Sequence, residues 1–274
     1  MRIAAGLLLL GVIAAGALAA PWLAAALGHD PFAPDLLNRY APPSATHPLG
    51  TDELGRDVAL RLLWGARVSL AVGLLSALIA AAVGTLAGLV AAWRGGLWDG
   101  LLMRLADALL ALPALPLLII LSALDPAAIG LPRGQAMADV LRIALILAAF
   151  GWMGVARLAR AAALTVLAME FVRAARALGV GEGRLLLRHV LPALASPVAV
   201  ATALAVAGAI LAESALSFLG LGIAPPAPSW GNMLAHAQEA LFEAPLLALW
   251  PGLMILATVA GCTLLADGIR RRGA

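Results

Sequence analysis

The groups from which this chain could build a reaction are few. Four histidines, His29, His47, His189 and His236, are scattered along it without the short spacings at which imidazoles converge on a metal. The single cysteine, Cys262, sits in an apolar run; it excludes a disulfide framework and a thiolate metal site and fits a small packing residue. No Ser/His/Asp arrangement or nucleophile elbow stands out. No G-x-x-x-x-G-K-[ST] loop is present, so the chain by itself does not bind ATP in that manner. Two acids lie in apolar surroundings. Glu213, in AGAILAESALSFLG, is a costly charge inside an apolar run and must pair, neutralise or face water. A bond to Ser or to backbone on a neighbouring helix is one reading of it, a place on a transport pathway the other. Asp107, three residues after Arg104 in MRLADALLALP, is expected to pair with it on one helix face.

The chemistry that stands out is recognition. The stretch EFVRAARALGVGEGRLLLRHVLP, Glu170–Pro192, carries Glu170, Arg173, Arg176, Glu182, Arg184, Arg188 and His189 in an otherwise apolar chain. Phe171, Ala174, Ala175 and Leu178 fall on one face of a first short helix. Gly179 stands where that helix should stop, and Gly181 and Gly183 extend the break. Leu185, Leu186, His189 and Val190 repeat at helical spacing in a second helix, and Pro192 marks the return toward the apolar region. The pattern predicts a compact knob with an apolar ridge and an arginine rim, suited to a groove on another protein.

The surrounding elements are membrane spans. The chain of 274 residues is 63% hydrophobic and 12% charged, whereas a soluble domain carries about 25% charged residues. A helical span needs about 20 mostly apolar residues. Six stretches qualify: Ile3–Leu27, Val68–Ala92, Leu101–Leu121, Val140–Leu164, Val198–Leu219 and Leu246–Ala266. In the second, Gly73, Ser76, Ala77, Gly84 and Gly88 recur at three- or four-residue steps, a face that lets helices approach closely. Pro113 and Pro116 should bend or loosen the third. The first begins with the basic start, apolar run and A-L-A of a secretory signal, but its apolar character continues through PWLAAALG, and a retained helix is expected. The organisation is thus an N-terminal span (1–28), an outer segment (29–67) and a five-helix domain (68–274) interrupted by a loop at 165–197.

All 18 basic residues are Arg. With the N-terminus inside, Arg2, Arg94, Arg104, Arg157, Arg160, Arg173, Arg176, Arg184, Arg188 and Arg270–Arg272 lie inside, twelve in all, against six outside: Arg39, Arg56, Arg61, Arg67, Arg133 and Arg142. That asymmetry places both termini and the charged stretch in the cytoplasm. It also accounts for the net charge of +3 without nucleic acid as a partner.

The charged stretch resembles the signature loop of membrane subunits of ATP-binding-cassette (ABC) importers, written E-A-A, three residues, G, nine residues, I, one residue, L-P. Here Ala174-Ala175 are followed at that spacing by Gly179, His189 and Leu191-Pro192. Arg173 replaces the acidic residue and His189 the Ile. HPLGTDELGRDVALRLLWGARVSL (His47–Leu70) and SFLGLGIAPPAPSWGNML (Ser217–Leu234) resemble segments of the C-type permease of the dipeptide, oligopeptide and nickel branch. The resemblance runs from about residue 47 to the C-terminus. It implies an all-α type I importer core plus an extra N-terminal helix in the bacterial inner membrane. It implies a B-type permease partner, an external solute-binding protein and two cytoplasmic ATPases, which would carry ATP and magnesium while this chain binds no cofactor. It gives the loop the role of a coupling element seated in an ATPase cleft, with Glu170, Phe171, Ala174, Ala175, Leu178, Gly179, Leu185, His189 and Pro192 as coupling residues. It puts PPAPSWGNML near the outer mouth, making Trp230 and Asn232, with Glu213, candidates for pathway or gate. In PLGTDELGRD, Thr51, Asp52 or Asp57 is expected to cap the next helix. An ion-driven secondary transporter is the other reading, for which Glu213 alone offers a midplane coupling group.

Overall fold

The computed structural model describes residues 2–124 and 135–273, and its regular elements are helices. In chain order they are α1 (Arg2–Leu27), α2 (Val58–Arg94), α3 (Gly96–Leu110), α4 (Ala114–Ser122), α5 (Ala136–Leu167), α6 (Glu170–Ala177), α7 (Glu182–Leu185), a π-helical turn (Leu186–Val190), α8 (Leu191–Ala193), α9 (Ala195–Phe218), α10 (Trp230–Glu239) and α11 (Leu246–Gly273). Among the described residues α1, α2, α5, α9 and α11 are long and apolar enough to cross a membrane, and α3 and α4, bent by 86° at the break between them, make a sixth only when taken together as one span.

Two expectations change here. The third span is not one helix over Leu101–Leu121: the chain stops being helical after Leu110 and restarts at Ala114 with Pro113 as N-cap. Proline has no N–H to donate and its ring crowds the preceding turn, so the break falls where the sequence places Pro113. The helix that carries the second span begins at Val58, ten residues before the expected apolar run at Val68. The arginines at the entry to this helix are paired in place. Arg61 lies 3.2 Å from Asp52, and Arg56 pairs with Asp52 at 2.8 Å and Glu53 at 2.7 Å, all with buried guanidinium groups. Of the three candidate caps it is Asp57 that acts, its side chain accepting from Leu60 N at 2.9 Å.

With its 37 residues α2 is about 55 Å long, against a hydrocarbon core of about 30 Å. It and the 32-residue α5 therefore project beyond the bilayer. They run parallel along the small-residue face seen in the sequence. A Cβ on Gly84 would come within 2.7 Å of Val155 Cβ, and one on Gly88 within 2.9 Å of Ala159 Cβ, so glycine is what permits this approach. Arg160 forks onto Asp99 at 2.5 and 2.6 Å, tying α3 to α5. Asp107 pairs with Arg157 of α5 at 3.5 Å rather than with Arg104.

α1 lies along α11, and Arg2 meets Asp267 at 3.1 Å, so the two ends of the chain share one face of the bundle. Following the crossings in order puts the C-terminal end of α2 and residues 168–194 on that same face. Residues 28–57, the start of α2 and α10 take the other. Arg133, counted among the outside arginines, lies outside the described residues.

Candidate functional site

The segment Glu170–Pro192 is an elbow. α6 ends in a left-handed turn: Gly179 has φ +78, its N–H donates to Arg176 O at 3.0 Å, and Val180 N donates to Ala175 O at 3.1 Å. This paired bonding around a positive-φ residue is the Schellman arrangement, which favours glycine because other residues meet a steric penalty there. Arg176 reaches across the turn to Glu182 at 3.0 and 3.3 Å, and Trp93 Nε1 at the end of α2 donates to Glu182 at 3.3 Å. The meeting of Glu182 with Trp93 has no signal in the sequence, since it depends on how α2 ends.

Val172, Leu185, Leu186, Val190 and Leu194 turn inward onto Leu89, Ala92, Ala163 and Val166 of α2 and α5. Burying a Val or Leu side chain contributes about 1.5–3 kcal/mol, so this cluster sets the elbow's attitude to the two projecting helices. Leu185, predicted as a contact residue, is 0% exposed and belongs to this anchor, and Ala175 packs against it. The π-helical turn at Leu186–Val190 inserts an extra residue and turns Leu187 outward. The exposed apolar ridge consists of Phe171, Ala174, Leu178 at 84% exposure, Leu187 at 68% and Leu191. His189 is half-buried with its ring 6.1 Å from that of Phe171. Exposed Glu170, Arg173, Arg176, Arg184 and Arg188 surround the ridge, and exposed Pro192 stands at the start of α8.

Glu213, Trp230 and Asn232 come together in the core near the opposite face. Glu213, 0% exposed, accepts from Ser217 Oγ at 2.6 Å and from Ser69 Oγ of α2 at 3.0 Å. Ser69 Oγ in turn accepts from Trp230 N at 3.2 Å, and Trp230 Nε1 donates to Leu62 O at 3.2 Å. Asn232 completes a capping box with Ser229 and donates to Ile223 O at 3.2 Å and Ala227 O at 2.9 Å. Trp230 is fully buried. These three residues face packed helices and lock α10 to α2 and α9.

A cavity of about 280 Å³ is bounded by Ser76, Ala77 and Ala80 of α2, Leu118 of α4, Leu147, Phe150 and Gly151 of α5, and Ala205, Gly208, Ala209 and Ala212 of α9. Its walls are apolar, so it offers shape and no coupling-ion group. The histidines are less scattered than their spacing suggested: His47 Nδ1 lies 3.0 Å and His29 Nδ1 3.8 Å from Asp57 Oδ2.

A polytopic all-α bundle with an apolar cavity between α2, α4, α5 and α9 and an anchored, arginine-rimmed elbow on one face is the architecture of a membrane transport subunit that answers to a partner. The chain belongs to the family of binding-protein-dependent transport system inner membrane components, whose family model matches residues 84–272. It is 38% identical over 265 residues to a peptide transport system permease protein of Brucella suis biovar 1, covering 97% of this chain and 84% of that one. It is also 38% identical over 254 residues to the glutathione transport system permease protein GsiD of Escherichia coli O6:K15:H31, covering 93% and 80%. It is a multi-pass inner-membrane permease subunit of an ABC import system.

Proposed function

We propose that the chain forms, with a second homologous permease, the pathway for short peptides, and that the Glu170–Pro192 elbow couples this pathway to two cytoplasmic ATPases. The elbow and both termini face the cytoplasm, in keeping with the arginine asymmetry. ATP and magnesium are bound by the ATPases, and a solute-binding protein delivers cargo to the opposite face. Peptides rather than nickel are favoured by relatives named for peptide and glutathione transport.

The observation that carries this reading is the elbow's construction. Its ridge is exposed while its base is fused by Val172, Leu185 and Val190 to the ends of α2 and α5. A push on the ridge therefore moves two helices that line the cavity, instead of bending a loose loop. Closure of the ATPases around ATP shifts the bundle between two arrangements through this handle. Among the described residues the cavity wall is apolar, and it is membership of the ABC import family that favours ATP-driven over ion-driven transport.

The test replaces Leu178 by Glu in the assembled transporter. Leu178 is exposed, so the membrane fold should be unchanged, while peptide uptake and copurification of the ATPases should be lost. Full uptake with Leu178→Glu would overturn the coupling role. Binding of nickel and not of peptide by the cognate solute-binding protein would overturn the cargo.

A further inference from the structure

We propose that His29, His47 and Asp57 form a binding site for one divalent metal ion of the zinc class, which staples the exit of α1 to the start of α2. The three come from separate places. His29 follows Gly28, whose φ of +68 ends α1; His47 lies in the connecting segment; Asp57 caps α2. The cap divides the carboxylate. Oδ1 accepts from Leu60 N at 2.9 Å, which leaves Oδ2 facing both imidazoles, at 3.0 Å from His47 Nδ1 and 3.8 Å from His29 Nδ1. The rings stack with centroids 4.9 Å apart.

A hydrogen bond explains His47 but not His29. Its Nδ1 is buried without a hydrogen-bond partner, and 3.8 Å from the carboxylate is too long for one. An ion accounts for both. Zinc bonds of about 2.0–2.2 Å at a tetrahedral angle set ligand atoms about 3.4 Å apart, and the separations of 3.0 and 3.8 Å bracket that value. All three ligand atoms lie within 4.8 Å of one another. The side chains of His29 and His47 are 28% and 20% exposed, which leaves a way in and room for water as a fourth ligand. Two imidazoles and one carboxylate select zinc, nickel or copper over magnesium or calcium. The bound ion would close the 28–57 segment into a loop pinned at both ends, on the face opposite the elbow.

The test uses the full-length chain with a non-histidine affinity tag, in lipid nanodiscs and stripped by chelator, titrated with Zn²⁺ against a chromophoric competitor. One Zn²⁺ should bind per chain, at least tenfold more tightly than to His29→Ala or His47→Ala, with His236→Ala unchanged. His29 makes no hydrogen bond through Nδ1, so His29→Ala should fold; Zn²⁺ should raise the thermal midpoint of the natural chain and not of this variant. A folded natural chain that binds no stoichiometric Zn²⁺, or His29→Ala that binds it equally tightly, overturns the proposal.

Discussion

Replacing Gly179 offers a graded test of the elbow. At φ +78 an L residue other than Gly or Asn is strained, by about 1–2 kcal/mol for Ala. No heavy atom beyond its chain neighbours lies within 4 Å of a Cβ built there, so the cost is conformational and not a clash. Asn visits this region more readily and should cost less than Ala despite being larger. Proline adds a locked φ and removes the N–H that donates to Arg176 O, for about 3 kcal/mol or more. About 1–2 kcal/mol is a factor of roughly 5–30 in the population of the ordered turn. ATP-driven peptide uptake in proteoliposomes should therefore fall in the order Gly, Asn, Ala, Pro, with Pro inactive and all four chains inserted in the membrane. A ranking by side-chain size, with Ala better tolerated than Asn, would show that the position is read by contact and not by φ. Normal uptake by Gly179→Pro would refute the coupling role of the turn.

Leu185→Ala should destabilise the elbow by about 2–5 kcal/mol and expose residues 170–192 to limited proteolysis, whereas Leu178→Ala should leave the cleavage pattern unchanged. Glu213→Gln should keep uptake and assembly, since its oxygen still accepts from Ser217. Glu213→Leu should strip acceptors from two buried hydroxyls and lower the thermal midpoint in detergent, by about 1–3 kcal/mol of stability. Trp230→Phe keeps the ring packing but loses the bond to Leu62 O, an expected loss of about 1 kcal/mol measured the same way. Asp57→Ala removes the α2 cap and should cost about 1 kcal/mol, with Asp57→Asn recovering most of it.

The sequence by itself determined the features that depend on neighbours along the chain. Hydropathy over about 20 residues marks a span wherever it occurs. The Ala174, Leu178 and Gly179 spacing marks a helix and its stop, and the Gly84 and Gly88 steps mark a face for close packing. The tertiary structure decided what depends on partners far away in sequence. Helix α2 opens at Val58, ten residues ahead of the apolar run, where Asp57 caps it and Asp52 faces Arg61. Leu185 is an anchor and not a ridge residue, because the π-helical turn after it and the ends of α2 and α5 decide which leucines turn inward. Glu213 is a lock because Ser69, 144 residues earlier, lies beside it. His29 and His47 meet Asp57 because the segment between α1 and α2 folds back on itself. Hydropathy and helical period are properties of a window, whereas the meaning of a buried charge or an imidazole lies in the group that faces it, and only the packed bundle supplies that group.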